Sequence, residues 1–382
     1  MRTVLFACIT IFLMLPAVMA AEPDVLVLDG MDTNFMNDAL KRIACPFDHA
    51  ASLDAAALKR HRVLILCGKS VSADAKAVAA FLQRGGNLLA TGAAAQWMLD
   101  AKLFDAQSYT PAGTTLHQSN FDGYHRLIFG YPEAKPLGNW ITGVPMLLRA
   151  TEGPLLRLGP NATSVLAAGG PFSLAAFQRQ GKGLVLMIGA DPQGGNEYLS
   201  LTKGTPKLGD ELHTDMLLAN AIAWLRDPAC NLIPNSGFET NADQASEKSH
   251  WEIGLNKGAK SEWVIKDAPE GRVYLRMTTP AGGSATVTPF IPIAVERAAK
   301  YRFACRYKAT AGASFMARHL ARSDDNIAKL EQYNVALPAS ESWTRFETQL
   351  DLPDDCHYLK LNLLINKPGE LCVDEITLKA VP

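Results

Sequence analysis

Long apolar runs are missing from this 382-residue chain beyond its first twenty positions, so no segment of about twenty apolar residues offers itself as a membrane-spanning helix. Basic runs are missing too. The 37 Lys and Arg face 38 Asp and Glu, a formal net charge of -1, which argues against nucleic acid or an anionic membrane as partner. There is no Cys-x-x-Cys pair and no Cys/His cluster, which removes the usual zinc sites. Nothing has the form of a phosphate loop or dinucleotide fingerprint, since Gly194-Gly195 lacks the required spacing. Charged residues make up 20% of the chain against 48% hydrophobic, the balance of a globular protein, and the length exceeds one ordinary core. Two domains are therefore expected.

What is present begins with a leader. Arg2 supplies a positive start, Val4 to Leu15 an apolar stretch, and Ala17-Val18-Met19-Ala20 a small-residue cleavage site. Residues 1–20 read as a signal peptide, with a mature start near Ala21 in an exported protein, periplasmic or extracellular. Cys8 comes too early to be a lipidated cysteine. Export changes how Cys45, Cys67, Cys230, Cys305, Cys356 and Cys372 are read. An even number permits disulfides, but spacing does not fix their connectivity, and buried thiols remain open as the alternative.

Residues 22–227 alternate strand and helix. Asp24 to Gly30, Arg62 to Gly68 and Asn87 to Gly92 are short apolar runs ending in glycine, as strands buried on both faces do. Helical stretches fall at Phe35 to Ile43, Asp54 to Lys59 and from an N-cap at Ser72 to Arg84. The alternation predicts a parallel sheet with helices on both faces. Asp29, Lys69 and Asp191 each follow an expected strand. Asp122, His125 and Glu133 fall in an irregular, aromatic-rich stretch after the third strand, where such folds carry ligands or simply cover the sheet.

The run Phe81-Leu82-Gln83-Arg84-Gly85-Gly86-Asn87-Leu88-Leu89-Ala90-Thr91-Gly92 resembles the class I glutamine amidotransferase-like, flavodoxin-like fold. Arg179 to Gly189 resembles that family's late strand, and Leu217 to Leu225 its closing helix. The resemblance implies a nucleophilic cysteine after the third strand and a His-Pro-Glu after the late one. Here Ala94 stands at the nucleophile position, and Asp191-Pro192-Gln193 replaces the histidine and glutamate. A methyl group cannot be a nucleophile. The resemblance therefore implies a catalytically silent domain, serving as scaffold or as a platform for a protein partner.

From residue 230 to 382 the pattern is strands alone, eight or nine of them, with Tyr301-x-Phe303-x-Cys305-x-Tyr307 the clearest alternation. That many strands in one domain predict a β-sandwich. The domain opens with Asn231-Leu232-Ile233-Pro234-Asn235-Ser236-Gly237-Phe238-Glu239, continues through Trp251, Tyr301, Phe303, Trp343 and Phe346, and closes with Val373-Asp374-Glu375-Ile376. This order resembles the galactose-binding-like jelly roll of carbohydrate-binding modules of the family 4, 9 and 22 type. The resemblance implies a glycan or polysaccharide partner and paired first and last strands. It also implies a structural Ca²⁺ at Glu239 and Asp374, and Trp251 and Trp343 in the core. Cys230 and Cys372 flank those strands, so a bridge between them follows as an expectation. Sugar binding needs aromatic faces and planar polar groups; Trp263, His319, Gln332 and Tyr333 are the candidates for an exposed binding face. Arg318, Arg322, Asp324 and Asp325 are further polar candidates.

Three functions remain open on these residues. One is an exported carbohydrate-binding protein with a silent first domain. Another is a polysaccharide hydrolase, whose two carboxylates would come from Asp122, Glu133, Asp191 or Glu197. The third is a jelly roll used only for protein assembly, which an aromatic-free binding face would favour.

Overall fold

Apolar runs flanked by turn residues fold here as expected, into short strands buried on both faces. The computed structural model describes residues 23–28, 34–68, 73–111, 116–121, 146–149, 153–169, 172–189, 213–233, 235–239, 251–289, 292–322 and 327–381. Within the first part these are β1 (Val25–Leu28), α1 (Asn34–Arg42), β2 (Asp48–Ala50), α2 (Ala55–Arg60), β3 (Val63–Leu66), α3 (Ala75–Gln83), β4 (Asn87–Thr91) and α4 (Ala93–Asp100). There follow β5 (Ala106–Pro111), β6 (Leu116–Phe121), β7 (Met146–Arg149), β8 (Pro154–Leu158), β9 (Thr163–Gly169), β10 (Phe172–Gln180), β11 (Gly183–Ile188) and α5 (His213–Arg226). The N-cap of α3 is Asp74, whose carboxylate accepts from Lys76 N, and not Ser72.

The strands form one mixed sheet in the order β2-β1-β3-β4-β11-β10-β9-β6-β7, with β8 on β10 and β5 on β8. Only its β2-to-β11 part is parallel; β10, β9, β6 and β7 run antiparallel. The expected all-parallel sheet is corrected by a hairpin. The stretch Arg179 to Gly189 is two strands, turned at Gly181 (φ 64°), where a Cβ would fall 2.7 Å from the Gln83 side chain. Helices cover both faces of the parallel part. Leu64, Leu66, Leu88 and Met187 pack with Val78, Phe81 and Met98, while Val63, Ile65, Leu89 and Leu186 pack with Met36, Leu40, Ile222 and Leu225.

The second part is all-β: β12 (Trp251–Asn256), β13 (Lys260–Val264), β14 (Tyr274–Thr279), β15 (Ser284–Pro289), β16 (Ile293–Ala294), β17 (Lys300–Ala309), β18 (Ala313–Arg322), β19 (Ile327–Leu337), β20 (Ser340–Asp351), β21 (Tyr358–Ile365) and β22 (Gly369–Val381). They make an antiparallel sandwich of a six-stranded sheet, β12-β15-β21-β18-β19 with β16 on β21, and a five-stranded sheet, β13-β14-β22-β17-β20. Phe303 stacks on Phe315 between the sheets, with ring centroids 4.0 Å apart. Burying aromatic area of this kind adds to the aliphatic burial that stabilises the sandwich.

The two parts share one continuous core through Trp224, Leu225, Cys230, Leu232 and Ile233. Polar contacts reinforce the junction. Arg179 donates to both oxygens of Glu296 (2.5 and 2.7 Å), Thr163 Oγ1 donates to Val295 O (3.1 Å), and Tyr358 OH donates to Ser164 O (3.2 Å).

All six cysteines among the described residues are buried and none is in a disulfide, so the expected Cys230–Cys372 bridge is not formed. The reason is register. Leu232 N donates to Leu378 O, which puts Cys230 beside the far end of β22, about 20 Å along the strand from Cys372. A disulfide needs Cα atoms within about 7 Å.

Candidate functional site

The opening stretch of the sandwich is held by the last strand. Asn231 Oδ1 accepts from Ile233 N (3.1 Å) and Leu378 N (2.8 Å), and Ile376 N donates to Ser236 O (2.9 Å). The paired ends that the resemblance implied are therefore present. Phe238 sits at φ 59°, an uncommon conformation for a bulky residue, and its fully buried ring lies 5.2 Å from both Trp251 and Trp263. Trp251 is buried and donates from Nε1 to Asn235 O at 3.2 Å.

This pairing brings carboxylates together. Glu239 Oε1 accepts from Arg272 N (2.7 Å) and Val273 N (3.0 Å). Gly271 (φ 63°) permits that approach, because a Cβ there would lie 2.2 Å from the same oxygen. Asp374 is fully buried and accepts from Glu270 N (3.1 Å) and Glu375 N (2.8 Å). A Cβ built on Gly237 would lie 3.6 Å from Glu270 Oε2, 3.7 Å from Asp374 Oδ1 and 3.9 Å from Glu239 Cγ, so three acids face one glycine. Burial pushes the Asp374 carboxyl up to about 7 against its two N–H donors, with Glu270 and Glu239 adding repulsion. Burial also raises Glu270, with Glu375 and Glu239 contributing. Oxygen-only donors of high negative charge suit a hard cation in kind. Among the described residues, no three His, Cys, Asp or Glu side chains stand close enough to hold a metal ion as placed.

The outward face of the six-stranded sheet carries a second constellation. Arg318 is opposite Lys360 on one side and Gln332 on the other; Met316 is opposite Asn362 and Asn334. These two rungs, Lys360–Arg318–Gln332 and Asn362–Met316–Asn334, share a face because side chains alternate along a strand. Gln332 Nε2 donates to Asn334 Oδ1 (2.9 Å), Arg318 Nε to Met316 Sδ (3.3 Å), and Lys360 Nζ lies 3.9 Å from Glu252 Oε2. Among the described residues, the one aromatic side chain on this face is Tyr358, buried where the first part of the chain abuts the sheet.

The outward face of the five-stranded sheet differs. Arg276 bridges Glu262 and Glu370, Arg306 and Arg345 both reach Glu375, and Glu347 takes Arg302 and Arg345. Tyr274 and Trp343 meet edge to face at 5.2 Å, with Lys308 Nζ over both rings. Trp343 is thus half-buried on an outer face, not in the core as expected.

The residues nominated for sugar contact are not gathered onto one face. Gln332 stands on the outward polar face. Trp263 packs inward on Phe238. Tyr333 turns toward the opposite sheet, its OH 2.8 Å from Thr348 Oγ1. His319 is buried facing inward, both ring nitrogens lacking a hydrogen bond, and burial lowers its pKa despite Glu331 4.0 Å away. Arg318, opposite Gln332, is the nominated polar residue that joins it; the side chains of Arg322, Asp324 and Asp325 lie outside the described residues. Lys360, Asn362 and Asn334 were missed, since only the register of strands distant in sequence reveals them.

In the first part, Ala94 near the start of α4 is fully buried in the core. Gly92 caps that helix at φ 55°, ψ -126°, a sharp strand-to-helix turn. Asp29, Lys69, Asp191 and Gln193 lie outside the described residues, as do Asp122, His125, Glu133 and Glu197 and the leader.

The geometry defines a two-part chain, a mixed α/β sheet followed by an antiparallel all-β sandwich. No protein-family model matches the chain, and no curated protein matches it. Solved structures similar to it include TmCBM61 in complex with β-1,4-galactotriose, at 13% identity and TM-score 0.30, covering 40% of this chain and 99% of that one. A putative sugar-binding protein from Bacteroides thetaiotaomicron follows at 14% and 0.29, covering 40% and 100%. The enzymatically active domain of bacteriophage CBA120 tailspike protein 4 is similar at 11% and 0.33, covering 40% of this chain and 21% of that one. No helix among the described residues is long and apolar enough to cross a membrane.

Proposed function

We propose that the chain is an exported carbohydrate-binding protein whose sandwich holds a glycan on the outward face of its six-stranded sheet. The observation that carries this reading is the pair of rungs Lys360–Arg318–Gln332 and Asn362–Met316–Asn334, a contiguous set of planar amides and cations with the Met316 thioether between them. Adjacent sugar hydroxyls present donors and acceptors together, which amide and guanidinium groups match. Affinity electrophoresis of the full chain through a panel of polysaccharides tests it. Retardation by at least one glycan, abolished in an R318A/Q332A variant, is expected; retardation that survives the variant overturns the placement.

The α/β part, on this reading, is a catalytically silent amidotransferase-like scaffold. Two observations support it: its five parallel strands follow the flavodoxin-like order, 2-1-3-4-5 counted along the chain, and Ala94 offers only a methyl group. Glu239 and Asp374, with Glu270 beside them, would hold a structural Ca²⁺ joining the sandwich's first and last segments. Thermal unfolding with calcium and with chelator tests this. That no exposed aromatic stands on the polar face among the described residues favours one second reading, a protein-assembly surface, and a chain retarded by no glycan yet eluting as a concentration-dependent oligomer is its expected signature.

A further inference from the structure

We infer that the cleft where the two parts of the chain meet is a second binding site, for an acidic oligosaccharide. The cleft encloses about 1170 Å³ and draws on both parts, from Leu99, Lys102 and Phe104 through Arg157 and Arg179 to Glu296, Arg297 and Asp354. That volume matches or slightly exceeds ordinary small-ligand pockets, which run to about 1,000 Å³. This site goes beyond the proposed sugar face, shares no side chain with it, and stands or falls separately.

Its charges are arranged for an anion. Four cations, Lys102, Arg157, Arg179 and Arg297, line it against three carboxylates, Asp105, Glu296 and Asp354. Glu296 is consumed by both donors of Arg179, and Asp105 accepts from Asn161 N at 2.8 Å. Arg297 is oriented by Asn161 Oδ1 (2.6 Å) and by the Asp354 carbonyl, neither of which neutralises it. Among the described residues Lys102 and Arg157 have no carboxylate partner, leaving three unneutralised cations against the two carboxylates of Asp105 and Asp354. Guanidinium groups pair bidentately with carboxylate and phosphate alike, so the preference for a uronate oligomer over a compact phosphate rests on the cleft's volume of about 1170 Å³.

The walls are built. Gly159 lets the Asp105 carboxylate close in, since a Cβ there would sit 2.1 Å from Asp105 Oδ1. Gln178 is buried, its Oε1 accepting from Asp105 N (2.8 Å) and its Nε2 donating to Gln180 Oε1 (3.4 Å). Phe104 and Phe177 give the cleft an apolar floor. Lys102 stops α4 in the left-handed conformation at φ 56°, with Lys102 N on Leu99 O and Leu103 N on Met98 O, as Ala44 does after α1 at φ 53°. The backbone there is a helix stop in both places, and what Lys102 adds to the cleft is its ammonium.

Calorimetric titration of the full chain with trigalacturonate tests the site, with galactotriose, a chondroitin sulfate oligomer and inorganic phosphate as comparison ligands. Saturable binding of trigalacturonate is expected, weakened at least tenfold in K102A/R157A and unchanged within twofold in R318A/Q332A. In K102G the thermal midpoint should rise while affinity falls at least threefold, a split that a purely structural lysine would not produce. Binding of the chondroitin sulfate oligomer, which carries sulfate beside its own uronate, with none of trigalacturonate would show that uronate alone is not enough and overturn the uronate preference. No saturable binding of either acidic oligomer, equal binding of phosphate, or affinity untouched by K102A/R157A would overturn the site. Loss of neutral-glycan retention in R318A/Q332A alone would bear only on the sugar face.

Discussion

The two outward faces of the sandwich are built from the same alternation of strand residues and end in opposite chemical states. On the five-stranded sheet, Arg276, Arg302, Arg306 and Arg345 are each matched to a glutamate, and Lys308 lies over Tyr274 and Trp343. On the six-stranded sheet, Arg318 turns to a thioether, and Gln332 and Asn334 bond mainly to each other. Hydrogen-bonding capacity on the first face is spent internally, whereas the second keeps its capacity for something else. A polar surface is informative when its groups are under-used, because unfilled donors and acceptors are what a hydroxylated ligand can exploit.

The largest expected effect lies at the seam between these faces, at Asp374. Replacing it by alanine leaves Glu270 N and Glu375 N without their acceptor in a buried place. Each unpaired donor costs about 1–3 kcal/mol, so D374A should lose about 2–4 kcal/mol in urea unfolding. A loss below about 1 kcal/mol would mean that water reaches those amides. The pH trend has a defined sign. Between the ordinary value of 3.8 and the folded value of about 7, the folded state keeps a proton that the unfolded chain has released. Stability in chelator should therefore fall as pH rises through this window, at up to about 1.4 kcal/mol per unit. Bound Ca²⁺ would favour the charged carboxylate, so added calcium should flatten or reverse the slope. A chelated protein that gains stability from pH 5 to 8 would refute the buried, protonated Asp374.

The next effect separates the faces directly. R318A/Q332A should weaken glycan binding at least tenfold, about 1.4 kcal/mol, with little change in thermal midpoint. R306A/R345A on the opposite face should leave binding within twofold. If the second pair alone abolishes retention, the Tyr274–Trp343 side is the sugar face and the assignment is inverted.

These faces were only partly legible in the sequence, and the reason is geometric. β1, β3 and β4 could be read because burial on both faces leaves a continuous apolar run. β19 went unread: it is an exposed edge strand whose Glu331-Gln332-Tyr333-Asn334 has no apolar alternation to announce it. The pairing of Asn231 to Ser236 with the last strand followed from the family resemblance and is present. The rung Asn362–Met316–Asn334 joins residues far apart in sequence, and no local period encodes that register. Alternation also leaves open which face is inward, so Trp263 and His319, read as outward candidates, face the interior, while Tyr333 is exposed but lies at the sandwich edge with its OH on Thr348.

A smaller effect concerns how the polar face is anchored to the α/β part. Arg179 clamps Glu296 with two hydrogen bonds, and the glutamate side chain is 9% exposed while the arginine is 41% exposed. R179A strands a nearly buried carboxylate and should cost about 1–2 kcal/mol after allowance for solvent screening on the arginine side. E296A/R179A should cost less than the sum of the single variants, a coupling that a double-mutant cycle measures. Strict additivity would mean that the two side chains do not meet in solution.

The smallest effect is the sharpest check on the comparison. Glu347 is shared by Arg302 at 3.3 Å and Arg345 at 3.1 Å, and all three side chains are at least 40% exposed. Exposed pairs contribute about 0–1 kcal/mol each because water screens them and ordering long side chains costs entropy. E347Q should therefore change urea stability by less than about 0.5 kcal/mol, and raising the salt to 1 M should shrink even that. Its larger consequence would be chemical: freeing two guanidinium groups from their shared carboxylate gives the five-stranded face the under-used donors that the six-stranded face already has. If internal satisfaction is what keeps this face silent, E347Q should add weak, salt-sensitive retention on acidic polysaccharides without altering retention through Arg318 and Gln332. Unchanged retention in E347Q, measured beside R318A/Q332A on the same gels, would show that shape, and not spent hydrogen bonds, separates the two faces.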